Sequence, residues 1–318
     1  MRITVIGAGA IGTLLAYRFT RAGHEVTLVA RGARLEELRR TRGVLRARER
    51  RGLGVATVAI ASGLDLDAGE DLLLVTVRRQ HADALLEEIV RSRARRIMFA
   101  FNTAGGLARF RDAVGVARFA WGFPAAIARL DDGVLVYRIV PGWLRALQIT
   151  MIGGASVEAL AALFVATGFP TRTSGDLEPW LATHAAVMAP MIASGVLASA
   201  GRLARADAAL VAAALRDGLE RVGARATPMG PRVLRRLPTG VIAFALRCAF
   251  GFTRVRASVG GAHAGDEALA MLDDLDALPG GEAIGRLRAV LERSRPSPHR
   301  GSPDVLTVNE RTTLPGSG

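Results

Sequence analysis

The chain has 318 residues, half of them apolar, enough for two compact domains. Its 42 basic side chains against 29 acidic ones give a formal charge of +13, but every basic residue is arginine. No nucleic-acid-binding motif or aromatic-interleaved basic strip accompanies that charge, so neither nucleic acid nor a membrane is expected as a partner.

The single cysteine, Cys248, excludes an internal disulfide and a cysteine-based metal cluster, and its apolar neighbours predict a core thiol. No metal is expected. The first residues, MRITVIGAGAIG, lack the long apolar stretch and small-residue cleavage site of an export signal, which makes the cytoplasm the expected compartment.

In chain order, Ile3 to Ile6 reads as a β-branched strand. It runs into Gly7-Ala8-Gly9-Ala10-Ile11-Gly12, and Thr13 to Ala22 follows with helical periodicity. Strand, glycine turn and helix in this order suit a dinucleotide. Gly7 allows the tight turn, Gly9 lets backbone approach a pyrophosphate, Gly12 lets the helix pack on the strand, and the helix N-terminus offers unpaired N–H groups to phosphate. A second strand, His24 to Ala30, ends where an acid would meet the ribose hydroxyls of NAD. Ala30 stands there instead, followed by Arg31 and Arg34, so NADP(H) is the expected cofactor.

Asp71 to Val77 and Arg96 to Asn102 read as continuous apolar strands of a parallel sheet. Arg78 and Asn102 fall at their carboxyl ends, the edge where open α/β sheets bind ligands. Val134 to Val140 and Ala146 to Ile152 predict two further strands, Val157 to Thr167 a helix, and Phe169 to Thr173 a last strand.

The expected fold is therefore α/β: an N-terminal Rossmann-type doubly wound sheet over residues 1–174, then an all-α domain over 175–293. The Pro-, Ser- and Gly-containing tail, 294–318, is expected to be disordered.

The segment PWLATHAAVMAPMIASG, from Pro179 to Gly195, is long and apolar enough to suggest a membrane span. Its richness in alanine, its position after a nucleotide-binding domain and its charged flanks (Asp176 and Glu178, then Arg202 and Arg205) predict the central helix of a helical domain instead. His184 is its proton-transfer candidate, with Asp176 and Glu178 available to orient the ring; the alternative is a core histidine bonded to backbone. His263, at a helix start beside Asp266 and Glu267, is either a second candidate or part of a cap. Ala204 to Arg221, Val241 to Phe252 and Arg286 to Arg293 predict further helices. Arg232, Arg235 and Arg236 form a basic cluster, read as a solvated helix face, with a contact to a substrate carboxylate as the alternative.

Together MRITVIGAGAIG, Arg31 after the second strand, TVRRQ with Arg78, and FNTAGG with Asn102 resemble the ketopantoate reductase family, NADPH-dependent reducers of a 2-keto acid. The resemblance covers about the first 175 residues. It implies that Gly7, Ala8, Gly9, Ala10, Ile11 and Gly12 line the pyrophosphate and that Arg31 meets the 2′-phosphate. It also implies that Arg78 replaces a cofactor-contacting lysine and that Asn102 lies near the nicotinamide. The family's helical domain opens with a helix carrying a lysine, taken as proton donor, and two asparagines. Here the corresponding helix has no lysine, and alanines near Ala185 and Ala189 stand at the asparagine positions, so His184 is the expected donor.

The function this implies is NADPH-dependent reduction of a small carbonyl substrate such as a 2-keto acid, with a homodimer as an option. An opine-dehydrogenase-like imine or ketone reductase and a non-catalytic NADP(H)-binding protein are the alternatives.

Overall fold

The computed structural model describes residues 1–139, 149–199, 201–223, 234–253, 255–256 and 264–294. In chain order its first half contains β1 (Arg2–Ile6), α1 (Ala10–Arg21), β2 (Glu25–Val29), α2 (Gly32–Arg40), β3 (Val44–Glu49), β4 (Gly52–Thr57), β5 (Ala59–Ala61), β6 (Leu72–Val75), α3 (Arg79–Ala84), α4 (Leu86–Arg91), β7 (Ile97–Phe99) and α5 (Leu107–Val114). Then come β8 (Phe119–Phe123), β9 (Ala126–Asp131), β10 (Val134–Ile139), β11 (Thr150–Gly154), α6 (Val157–Ala166) and β12 (Thr171–Thr173). The helical part contains α7 (Glu178–Leu197), α8 (Arg205–Val222), α9 (Thr239–Ala249), α10 (Ala264–Asp276) and α11 (Ala283–Arg293).

Eight strands form the main sheet in the order β12-β11-β8-β7-β6-β1-β2-β5. All neighbouring pairs are parallel except β11 with β8. The apolar strands explain this arrangement: β6 and β7 are buried along their whole length, as helices on both faces require. From β1 the chain moves outward to β2 and β5, then returns to lay β6 on the other side of β1. The point of reversal lies between β1 and β6, where doubly wound sheets open a crevice at their carboxyl edge.

A second sheet, β4-β3-β10-β9, was not read from the sequence. It packs one face on α1, burying Leu45, Ala47, Ala56 and Leu135 with Leu14, Leu15 and Phe19 of that helix. Tyr17 of α1 donates a hydrogen bond to Glu49 Oε1 at 2.6 Å, joining helix to sheet. The expected strand 134–140 therefore belongs to this second sheet, and β11 begins later than expected, at Thr150, with residues 140–148 outside the described residues.

α7 is the one helix among the described residues long and apolar enough to cross a membrane, and most of that length is buried inside the protein. It packs between α8 and α10, and Ala185, Ala186, Ala189 and Ala193 have no exposed surface. Small side chains let the helices approach: a Cβ on Gly218 of α8 would sit 3.3 Å from the Ala186 methyl. The expectation of a core helix is thus met by its packing.

The expected core thiol is not: Cys248 is exposed, because α9 buries Ile242 and Leu246 and turns Phe244 and Cys248 outward. The expected disordered tail falls almost wholly on residues 295–318, outside the described residues.

Candidate active site

The glycine turn sits at the point of reversal. Gly7 has φ +109°, a conformation that a side chain disfavours, and its N–H bonds to Val29 O at 3.1 Å, tying the turn to the end of β2. A Cβ on Gly12 would lie 1.8 Å from Gly7 O, so only glycine lets α1 come this close to the strand. Gly9 has open space where a Cβ would be. It is the N-cap of α1, no side chain caps that end, and no acid lies in the first turn. The N–H groups of the first turn, around Ala10, Ile11 and Gly12, therefore point into a neutral, open cradle. Such a cradle fits a pyrophosphate. Thr76 completes its floor, bonding through Oγ1 to Ile6 O at 2.9 Å and Gly7 O at 3.0 Å.

The two arginines after β2 have different fates. Arg34 bonds Ala8 O at 3.3 Å, Thr13 Oγ1 at 3.4 Å and Glu37 at 2.7 Å, so it braces the turn instead of standing free for a phosphate. Arg31 caps α2, is exposed and has no ion pair among the described residues. Ala30 before it is buried, and no carboxylate occupies the strand end.

Beside the turn, the loops after β6 and β7 carry Arg78 and Asn102, and both meet helix α10. Arg78 Nη1 lies 3.5 Å from Asp266 Oδ2, and Asn102 Nδ2 donates to Glu267 Oε1. The carboxylate partner fixes the amide orientation, leaving Asn102 Oδ1 buried with no hydrogen-bond partner. A buried acceptor in that state is free to take a further donor. Asp266 and Glu267, read from the sequence as companions of His263 in a cap, are thus in contact with Arg78 and Asn102, Glu267 across 165 positions that no local pattern reveals. His263 lies outside the described residues.

His184 reaches the same edge from α7. Its ring stacks on Trp180, one turn earlier, at 5.0 Å and 10°, and lies 4.3 Å from the Phe123 ring. Phe123 ends β8, whose Trp121 is in register with Phe99 of β7, so the imidazole stands at the carboxyl end of β8, on the same edge of the sheet as the end of β7. Burial among aromatic rings pushes its pKa down to about 4, leaving it neutral at pH 7. No hydrogen bond to it occurs among the described residues.

Asp176 and Glu178, expected to orient the ring, instead line a cavity of about 340 Å³ with Arg111, Phe119, Gly153 and Ser174, at the start of β8 and hence on the opposite edge of the sheet. Of the basic cluster, Arg235 and Arg236 are exposed as expected, and Arg232 is outside the described residues. No group of His, Cys, Asp and Glu suited to a metal occurs among the described residues.

A doubly wound sheet with an uncapped glycine turn at its reversal point, faced across its carboxyl edge by helices, defines a Rossmann-type α/β protein with a helical second part. Residues 3–138 match the model of the family Ketopantoate reductase PanE/ApbA. Solved structures share the fold along nearly the whole chain. A 2-dehydropantoate 2-reductase from Geobacter metallireducens GS-15 is 18% identical, with TM-score 0.65, covering 93% of this chain and 100% of its own. A PanE/ApbA family ketopantoate reductase from Ralstonia eutropha JMP134 is 22% identical, with TM-score 0.63, covering 92% and 98%. D-mandelate dehydrogenase with NADH and anilino(oxo)acetate is 13% identical, with TM-score 0.65, covering 92% and 98%. None of the curated proteins matches the sequence.

Proposed function

We propose that this chain is a cytoplasmic, NADPH-dependent reductase of a small 2-keto acid or related carbonyl. The observation that carries the reading is the glycine cradle followed by a buried Ala30 and an unpaired Arg31: backbone to hold a pyrophosphate, no carboxylate to repel a 2′-phosphate, and a guanidinium to receive one. Gly7 to Gly12 would hold the diphosphate, Arg31 the 2′-phosphate, and Arg78 a second contact once Asp266 is displaced. NADPH, when bound, supplies the hydride.

Asn102, with its amide held by Glu267, offers Oδ1 to a donor on the nicotinamide or the substrate. His184 delivers the proton to the carbonyl oxygen. Its neutrality in the free protein suits a group that charges only with substrate present, since the carboxylate of a 2-keto acid beside the ring favours the imidazolium. The aromatic walls from Trp180 and Phe123 exclude water from that proton.

The test is NADPH oxidation with a panel of 2-keto acids, with and without amines, and with NADH as the comparison cofactor. Turnover of a 2-keto acid alone supports the reading, and turnover only with an amine supports an opine-dehydrogenase-like reductase. A second reading has its own observation: the imidazole is held neutral by burial, and the alanines at 185 and 189 are packed in the helical core, so α7 offers no other proton donor there. Saturable NADPH binding with no turnover on any substrate supports a non-catalytic NADP(H)-binding protein and rejects the enzyme.

A further inference from the structure

We propose that Asp274 is a positioning residue that locks the two strand-end loops of the candidate site in place, an inference that rests on the reading above for its catalytic consequence but not for its geometry. Asp274 lies on α10 seven residues after Glu267, two helical turns along, which puts both carboxylates on one face. Its Oδ2 accepts from the Ala104 N–H at 3.1 Å and lies 2.9 Å from the Thr103 hydroxyl, while Oδ1 pairs with Arg79. The Thr103 hydroxyl also reaches Gly105 O at 2.6 Å, which folds the loop back on itself beneath the carboxylate.

Each of these partners lies within two residues of a candidate site residue: Arg79 follows Arg78, and Thr103 and Ala104 follow Asn102. Glu267 and Asp266 touch Asn102 and Arg78 themselves, and Asp266 would give up Arg78 to a ligand. Asp274 grips only the neighbouring backbone and side chains, so its hold does not compete with a ligand. The Asp274 side chain is 11% exposed, and its charge is balanced by Arg79. One carboxylate from the helical part thus sets where two loops of the sheet stand, and with them the positions of Arg78 and Asn102. A displacement of about 1 Å in such a group costs on the order of a hundredfold in rate.

The experiment compares Asp274→Ala, Asp274→Asn and Thr103→Val in the full chain. For the most active 2-keto acid, Asp274→Ala is expected to lower kcat by about tenfold or more. Because the glycine turn and Arg31 are untouched, the NADPH Kd should change by a smaller factor than kcat. Asp274→Asn keeps an acceptor for the Ala104 N–H and should recover most of kcat, a rescue that a merely structural loss would not show. Hydrogen exchange supplies a readout that needs no turnover: amides of residues 102–105 should exchange at least about tenfold faster in Asp274→Ala, and those of 7–13 at the original rate.

If the protein reduces nothing, the enzyme reading fails, and exchange alone decides on the clamp. If Asp274→Ala does not fold, Thr103→Val takes its place, with a smaller acceleration confined to the same loop. Unchanged kcat and unchanged exchange in the folded variants overturn the proposal, as does acceleration spread evenly over the whole chain.

Discussion

On the sheet side of the candidate site, what faces a ligand is mostly backbone: the first-turn N–H groups of α1, released by glycines whose replacement would collide with Gly7 O or force a positive φ. On the helical side it is all side chains: His184 between Trp180 and Phe123, and the carboxylates of Asp266 and Glu267 on α10. Backbone cradles tolerate few sequences, because geometry itself is the contact. Side-chain sites can exchange one chemical group for another while the helices keep their packing. That difference suits a chain whose residues 3–138 match a family model while its helical part lacks the lysine and asparagines that the resemblance leads one to expect.

The comparison breaks first at His184. His184→Gln should lower kcat by about 10²–10⁴, the usual contribution of a general acid, with the NADPH Kd nearly unchanged. Steady-state kinetics beside a binding titration check this, and an unaltered kcat removes the imidazole from the mechanism. The same residue has a signature in stability. Its folded pKa, about 4, is below the ordinary value near 6.5, so the unfolded chain takes up this proton more readily. Its contribution is therefore at its most favourable above about pH 6.5 and is lost as pH falls toward 4. Denaturant unfolding at several pH values should show that slope flattened in His184→Gln.

A second variant tests whether the two sides are energetically separable. Asp217 is buried in α8, where it accepts from Arg221 at 3.0 Å, Gly281 N–H at 2.8 Å and Ile284 N–H at 3.1 Å. Burial alone would push its carboxyl up, but these bonds outweigh it and hold the pKa below the usual carboxylate range. Asp217→Ala leaves Arg221 buried without this partner and should cost about 3–5 kcal/mol in unfolding free energy. In the native protein this part of stability is present above the ordinary carboxylate pKa and lost below it. Gly12→Ala is the smaller effect on stability, about 1–3 kcal/mol of overpacking. It should nonetheless weaken NADPH while leaving Asp217 and its partners undisturbed. If Asp217→Ala weakens the nucleotide as much as Gly12→Ala does, the separation of the two sides is wrong.

What could be read from the residues follows the same division. The turn from Gly7 to Gly12 was legible because its physics is local: three glycines at fixed spacing between a β-branched strand and a helix. β6, β7 and α7 were legible from unbroken apolar runs. The sheet that covers α1 was not, since its inward side chains are often small, such as Ala47 and Ala56, and arginines fill the outward positions 46 and 48. Nor was the exposure of Cys248, because an almost wholly apolar helix such as α9 does not reveal which face it buries. The pairing of Asn102 with Glu267 and of Asp274 with Thr103 was beyond reach, for these are contacts between distant segments that only the docking of α10 creates. Arg34 marks the limit from the other direction. Its position suggested a phosphate ligand, and tertiary structure uses it to brace the turn.

The most direct measurement is a parallel titration of NADPH and NADH into the native protein and Arg31→Ala, followed by nucleotide fluorescence. The account predicts saturable binding of NADPH, tighter than NADH, with Arg31→Ala losing about 1.5–3 kcal/mol toward NADPH and little toward NADH, the cost of one charge-assisted contact. Equal losses for the two nucleotides, or no binding of either to the native protein, would contradict it.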